Sequence, residues 1–222
     1  MGTGQSGPVR IAPVSGDGPR PLRREGDAAP HERTIPPSYF DGRYADSPDP
    51  WSLSARWYER RKYDLTLASL PRRRYASGYE PACSIGVLTR GIAARCDRLL
   101  AVDSAPAAVR AASAAVADSP HVSVRRAVLP GDLPDASFDL VVLSEFLYYF
   151  TPDDLELLSK GLRDRLRPGG HVVCVHRRST VQGQGWDGFN AHRVVEGRMR
   201  TATVMRLDDP DFEIVVLERR RG

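Results

Sequence analysis

Glu80-Pro81-Ala82-Cys83-Ser84-Ile85-Gly86 is the stretch on which the reading of this chain turns. An acidic residue closes a strand-like run that begins at Tyr75, small residues follow, and a helical pattern sets in from about Ile85 to Arg95. Small residues between strand and helix let a ligand approach the backbone closely, and free amides at a helix start favour an electronegative group such as a carboxylate. Glu80, Ala82, Ser84 and Gly86 are therefore candidate ligand contacts. Taken alone, the same seven residues also fit an ordinary tight turn.

Outward from the turn, Leu99-Leu100-Ala101-Val102-Asp103 is an apolar run ending in an acid, seventeen residues after Gly86. A carboxylate in that place can accept both ribose hydroxyls of an adenosine; the simpler alternative is that Asp103 caps the helix that follows. Strand-like runs are expected at Tyr75 to Glu80, Arg98 to Asp103, Val122 to Val128, Phe138 to Ser144 and His171 to His176. Helices are expected at Ile85 to Arg95, Pro106 to Ala117 and Pro152 to Leu166. The turn Leu166-Arg167-Pro168-Gly169-Gly170-His171 stops the last of these helices. Strands alternating with helices of this length predict an α/β, mostly parallel sheet with helices on both faces. Thr201 to Arg206 and Phe212 to Arg219, with Asp208, Asp209 and Pro210 between them, break the alternation. They predict an antiparallel C-terminal hairpin, seven strands in all. No Gly-x-Gly-x-x-Gly is present, which argues against a dinucleotide dehydrogenase.

The rest of the chain bounds the possibilities. With 222 residues, 41% of them hydrophobic, one core is expected. Residues 1–36 carry Gly, Pro and Arg without apolar periodicity and read as a disordered tail. Trp51 to Leu70 reads as one flanking helix ahead of the core at 75–222, with Pro71 as its stop. No apolar run approaches the roughly 18 to 20 residues of a spanning helix, and the start lacks the apolar core of a signal peptide, so a cytoplasmic protein without a membrane partner is expected. Cys83, Cys96 and Cys174 lack metal-type spacing and read as small buried residues. The net charge of +4 comes with only two lysines, Lys62 and Lys160, and 30 of the 32 cations are arginine. That pattern suggests codon usage rather than a basic patch, and nucleic acid is not the expected partner.

The turn at Glu80 resembles the acidic-x-Gly-x-Gly-x-Gly turn of class I methyltransferases, with Ala82 and Ser84 in place of two of the three glycines. A closer resemblance rests on Tyr39-Phe40, Tyr44-Ala45, Asp49-Pro50-Trp51, Tyr58-Glu59-Arg60-Arg61-Lys62, Thr66-Leu67 and Leu70-Pro71. With Glu80 to Gly86, Ser144-Glu145-Phe146-Leu147-Tyr148-Tyr149 and His176, they look like the nodulation-protein-S (NodS)-like N-methyltransferases, over roughly residues 39 to 195. The resemblance implies a Rossmann-like class I methyltransferase fold and S-adenosyl-L-methionine as cofactor. It also implies methylation of an amino group on a small molecule or an aminosugar of chitooligosaccharide type. It would place Trp51 over the cofactor and bring cations from Tyr58 to Lys62, Arg61 included, near its carboxylate; Trp51 and Tyr58 could equally be core aromatics. Ser104, Val128, Leu129 and Ser144, at the ends of successive strands, complete the expected cofactor set with Asp103.

Methyl transfer is an in-line displacement that needs alignment and exclusion of water. Glu145 and His176, at the carboxyl ends of strands four and five, are the candidate bases for an amine acceptor, and Tyr148 and Tyr149 offer hydroxyls and ring faces. A packing role for the tyrosines and an ion pair for Glu145 are the plainer readings. His192 and Trp186 are expected in a substrate lid, His171 in the strand architecture and His121 in a surface turn. A monomer or weak homodimer is expected. The alternatives are an O-methyltransferase acting on a secondary metabolite, or a protein that binds the cofactor without turnover.

Overall fold

The computed structural model describes residues 32–178 and 188–220. In chain order the elements are α1 (Pro37–Asp46), α2 (Trp57–Ala68), β1 (Gly78–Pro81), α3 (Val87–Ala93), β2 (Leu99–Asp103), α4 (Pro106–Ala115), β3 (Val122–Arg126) and β4 (Phe138–Ser144). A short 3-10 turn (Leu147–Tyr149), α5 (Pro152–Arg165), β5 (Leu166–Arg177), α6 (Gly188–Met199), β6 (Thr201–Asp208) and β7 (Phe212–Arg219) complete them. The seven strands form one sheet in the order β3-β2-β1-β4-β5-β7-β6. β1 to β5 pair in parallel, whereas β7 pairs antiparallel with both β5 and β6. This is the α/β, mostly parallel seven-stranded sheet with an antiparallel C-terminal hairpin that the order of the runs predicts, and it agrees with the Rossmann-like fold that the resemblance implies.

Period-two alternation divides the central strands between two cores. Val141, Leu143, Val172, Cys174, Val215 and Leu217 face α5 and α6. Leu140, Val142, Val173, Val175, Ile214 and Val216 face the side where Leu88, Ile92, Leu65 and Leu67 of α2 and α3 pack. Both faces are covered, which is why β4 and β7 read as continuous apolar runs. Between α3 and α4 the contact is so close that a Cβ on Gly86 would stand 2.9 Å from the Ala112 Cα. The three cysteines are buried and free. No helix among the described residues is long and apolar enough to cross a membrane.

Several boundaries differ from the sequence reading, and three of them have a visible cause. The helix expected over 51–70 begins only at Trp57, because Asp49 accepts the Leu53 and Ser54 amides and the Ser54 hydroxyl, and Ser52 adopts a left-handed φ of 56°. Carboxylate-to-amide bonds of this kind hold the backbone in a turn and compete with a helix. The tail expected through residue 36 gives way to order earlier: the Ile35 amide donates to the Tyr149 carbonyl, the Thr34 hydroxyl bonds Asp154, and Pro37 opens a helix not foreseen in the sequence. β5 starts at Leu166, so the Pro-Gly-Gly turn belongs to the strand, with Gly169 in the left-handed region at φ 72°.

Candidate active site

The parallel strands end on one side of the sheet, and a cleft of about 160 Å³, partly open to solvent, lies over those ends. Crevices at the carboxyl ends of the strands are where open α/β sheets bind ligands. Its floor comes from the residues that follow β1, β2, β3 and β4: Glu80 to Ser84, Asp103 and Ser104, Ala127 to Leu129, and Ser144 to Phe146. Its roof comes from the N-terminal region, through Ile35, Phe40, Tyr44, Trp51, Glu59 and Tyr63. Tyr44 and Trp51 meet edge to face with centroids 5.5 Å apart, and the Tyr44 hydroxyl lies 2.5 Å from the Ser84 hydroxyl. The roof is thereby tied directly to the β1–α3 turn.

That turn is left-handed at each place where a glycine would be expected: Ala82 has φ 55°, Ser84 φ 51° and Gly86 φ 82°. The backbone path has survived the loss of two glycines, and each substituted position carries Cβ strain of about 1–2 kcal/mol. The amides of the turn are not free as expected. Cys83 N donates to Val102 O at 2.9 Å, Ser84 N to Asp103 Oδ2 at 2.9 Å and Gly86 N to Cys83 O at 3.1 Å. Asp103 also accepts the Ala105 amide at 3.0 Å, a bond that lies just ahead of α4, whose own N-cap Ala105 has no side-chain cap, and the carboxylate faces the cleft. Burial pushes the Asp103 carboxyl upward, against the amide bonds that favour its ionised form.

Glu80 is the most displaced acid of the cleft. It is buried, its Oε2 has no hydrogen-bond partner, and burial lifts its carboxyl to about 8, so that it holds its proton at neutral pH. An orphaned buried oxygen is costly unless something outside the chain completes it.

Trp51, Ala82, Ser84, Asp103, Ser104, Val128, Leu129 and Ser144 line the cleft as expected, together with Glu80, Glu145 and Tyr148. Four expected contacts do not. Gly86 caps α3 and serves close helix packing instead of touching the space. Tyr58 and Arg61 lie on the wrong side of α2: Tyr58 packs edge to face on Phe212, and Arg61 pairs with Asp209 at 2.5 Å. The buried face of α2 holds Glu59, Lys62 and Thr66, and it is Glu59 and Tyr63 that reach the cleft.

His176 is the fourth. Its Nε2 accepts the Phe146 and Leu147 amides at 3.2 and 3.1 Å, and its Nδ1 lies 2.8 Å from His192 Nε2. His192 Nδ1 in turn lies 2.9 Å from Glu213 Oε2, whose other oxygen meets Arg206 at 2.5 Å. Two amides pointing at Nε2 require it to be the unprotonated nitrogen, so the Nδ1 proton is donated to His192 and the His192 Nδ1 proton to Glu213. Burial and the neighbouring His192 hold His176 well below the usual imidazole range. With both nitrogens engaged, His176 is a prop beneath the β4 turn and not a base. His192, fully buried in α6, is likewise no lid residue; Trp186 lies outside the described residues.

The propped turn presents Glu145, itself left-handed at φ 59°. Lys62 Nζ lies 2.8 Å from Glu145 Oε1 and 2.8 Å from Glu59 Oε2, the Tyr148 hydroxyl donates to Glu145 Oε2 at 2.7 Å, and Arg177 approaches that oxygen at 3.7 Å. Burial alone would raise the Glu145 carboxyl; Lys62, Tyr148 and Arg177 together bring it below the usual range. Glu145 is therefore a standing negative charge and a weak base, and the Tyr148 hydroxyl is committed to it. Tyr44, Tyr63, Phe40 and Arg177 are among the lining residues that sequence reasoning did not assign to the site. Tyr44 and Phe40 carried a signal in the aromatic pairs ahead of α2, whereas Arg177 carried none.

The family model described as Nodulation protein S (NodS) matches residues 42–203. The chain belongs to the NodS family. Nodulation protein S of Rhizobium tropici is 30% identical over 127 residues, 56% of this chain and 53% of that protein. Its counterpart in Sinorhizobium fredii is 29% identical over 129 residues, 56% and 59% of the two chains. The NodS-family chain thus spans about half the length of the curated relatives it matches. A Pseudomonas syringae protein, solved as a candidate methyltransferase, is 36% identical with a TM-score of 0.67, covering 74% of this chain and all of that one. The N-methyltransferase NodS of Bradyrhizobium japonicum WM9, solved with S-adenosyl-L-homocysteine, superposes with a TM-score of 0.76 at 22% identity, over 83% of this chain and 99% of that one. That last likeness is one of fold.

Proposed function

We propose that the protein is an S-adenosyl-L-methionine-dependent methyltransferase that methylates an amino group of a small molecule or aminosugar. The observation that carries this reading is the left-handed Ala82–Gly86 turn held by Asp103, with the unpartnered Glu80 Oε2 beside it in one cleft. The residues suit the cofactor. Asp103 offers carboxylate lone pairs to ribose hydroxyls, Val128 and Leu129 offer an apolar seat for the base, and Glu80 offers its unpartnered oxygen to an ammonium. When bound, the cofactor supplies an electrophilic methyl group that a nitrogen lone pair can take, the electron pair of the broken C–S bond returning to sulfur. The chain's own work is to hold and to exclude water. Trp51 and Tyr44 close the roof, Tyr148 and Phe146 wall the acceptor side, and Glu145 holds a fixed negative charge toward an approaching amine. Its lowered carboxyl attracts an ammonium more readily than it strips one, so the amine's proton leaves mainly to solvent.

Titration with S-adenosylhomocysteine tests the reading. Micromolar affinity, on the order of −8 kcal/mol, is expected, and Asp103→Ala should weaken it about a hundredfold through loss of charged hydrogen bonds of about 1.5–3 kcal/mol each. An Asp103→Ala protein with wild-type affinity refutes the assignment. Binding without methyl transfer to any amine would favour a cofactor-binding protein, and transfer to hydroxyls alone would favour the O-methyltransferase alternative.

A further inference from the structure

Among the described residues lining the cleft there is one cation, Arg177, against four acids, Glu59, Glu80, Asp103 and Glu145. It is the last residue of β5, only half buried. Its sole pairing among the described residues is the 3.7 Å approach to Glu145 Oε2, an oxygen already taken by the Tyr148 hydroxyl. Five guanidinium donors in a fixed fork suit a carboxylate or phosphate, and among the described residues they meet only that one oxygen beside the cleft. Position decides which ligand they serve. Glu80 lies in β1, the turn follows it and Asp103 ends β2, whereas Arg177 ends β5, two strands from β1 in the order β1-β4-β5. Adjacent strands are about 4.8 Å apart, so Arg177 begins about 10 Å from the Glu80 strand. With the ammonium assigned to Glu80 and the ribose to Asp103, the cofactor's polar groups are allotted to β1 and β2, and Arg177 stands on the other side of the cleft's floor beside Glu145.

We propose that the methyl acceptor carries, besides its amine, an anionic group, a carboxylate or a phosphate, and that Arg177 binds that group while Glu145 faces the amine. This rests on the functional reading above and adds the charge of the substrate to it. A zwitterionic acceptor matches the pairing of one cation with one standing anion at the end of β4 and β5, and a plain cationic amine would leave Arg177 opposed to it.

Two matched pairs of probes test the inference by calorimetric titration at low salt, with and without S-adenosylhomocysteine: tyrosine against tyramine, and glucosamine 6-phosphate against glucosamine. The wild-type protein should bind the anionic member of at least one pair tenfold or more tightly, and the pair that responds tells carboxylate from phosphate. Arg177→Gln should abolish the preference with S-adenosylhomocysteine affinity kept within threefold, and Arg177→Lys should keep part of it. Absence of any preference in the wild type, no binding of any probe, or a preference that survives in Arg177→Gln overturns the proposal. A tenfold loss of S-adenosylhomocysteine affinity in Arg177→Gln also overturns it, by giving the arginine to the cofactor. If the wild type fails to bind S-adenosylhomocysteine yet shows an Arg177-dependent preference, the functional reading fails and the anion site stands.

Discussion

Replacing the three left-handed residues of the β1–α3 turn one at a time should give three different signs. At Ala82, φ 55° places the Cβ against the backbone at a cost of about 1–2 kcal/mol, and glycine removes that cost while adding about 0.5–1 kcal/mol of chain entropy. Ala82→Gly should therefore stabilise by about 0.5–1 kcal/mol, a rise in Tm of about 2 °C for a chain of this size. Ser84→Gly gains the same relief but forfeits the 2.5 Å contact with the Tyr44 hydroxyl, worth about 1 kcal/mol, and should leave stability nearly unchanged. Gly86→Ala adds strain at φ 82° and drives a methyl to 2.9 Å from the Ala112 Cα. Strain of 1–2 and crowding of 1–3 kcal/mol sum to a loss of about 3 kcal/mol. Urea unfolding of the three variants beside the wild type, with the m-value checked for constancy, reads the series directly. A destabilised Ala82→Gly, as for an ordinary Ala→Gly exchange in regular structure, would show that the left-handed turn is not what these residues adopt in solution.

Other consequences follow from charge. Because Glu80 holds its proton up to about pH 8, an ammonium seated on it at pH 7 should expel close to one proton per ligand. S-adenosylhomocysteine titrations in buffers of different ionisation heat should show that release, and Glu80→Gln should lose it; a buffer-independent heat refutes the placement. Glu213, brought down to about 2 against its burial by His192 and Arg206, contributes stability that is complete above the unfolded value near 4.5 and is lost as pH falls toward 2. The shift corresponds to about 3 kcal/mol, so acid unfolding of Glu213→Gln should lack that part of the slope between pH 4.5 and 2. Lys62→Met should destabilise by about 3–5 kcal/mol by leaving Glu59 and Glu145 uncompensated in a buried place. The added change Glu145→Gln should recover part of that loss in thermal unfolding, and a fully additive double variant would contradict the coupling.

Legibility in the sequence tracked locality. The strands that carry Asp103 and Ser144 stand out because burial on both faces forces unbroken apolar runs, and the turn at Glu80 stands out because small residues between strand and helix are locally diagnostic. α2 misled as to which of its residues face inward. Its buried face carries Glu59 and Lys62, so the apolar period that normally marks the inner side is replaced by an ion pair invisible without Glu145. α1 escaped notice because Pro-Ser-Tyr-Phe-Asp-Gly-Arg-Tyr-Ala-Asp has a glycine inside and buries only Tyr44. The role of His176 depends on His192 and Glu213, which come from two other elements, and no spacing along the chain announces such a contact.

The chain of hydrogen bonds from Phe146 and Leu147 through His176 and His192 to Glu213 has a consequence for how this protein can be divided. The stretch matched to the family ends at residue 203, before β7 begins, yet Glu213 on β7 anchors the prop under the turn that presents Glu145. The last hairpin is thus an organ of the site and not a detachable border. A shuffled or shortened descendant that changed this edge of the sheet would have to keep an acceptor for the His192 proton, or find another way to steady the turn.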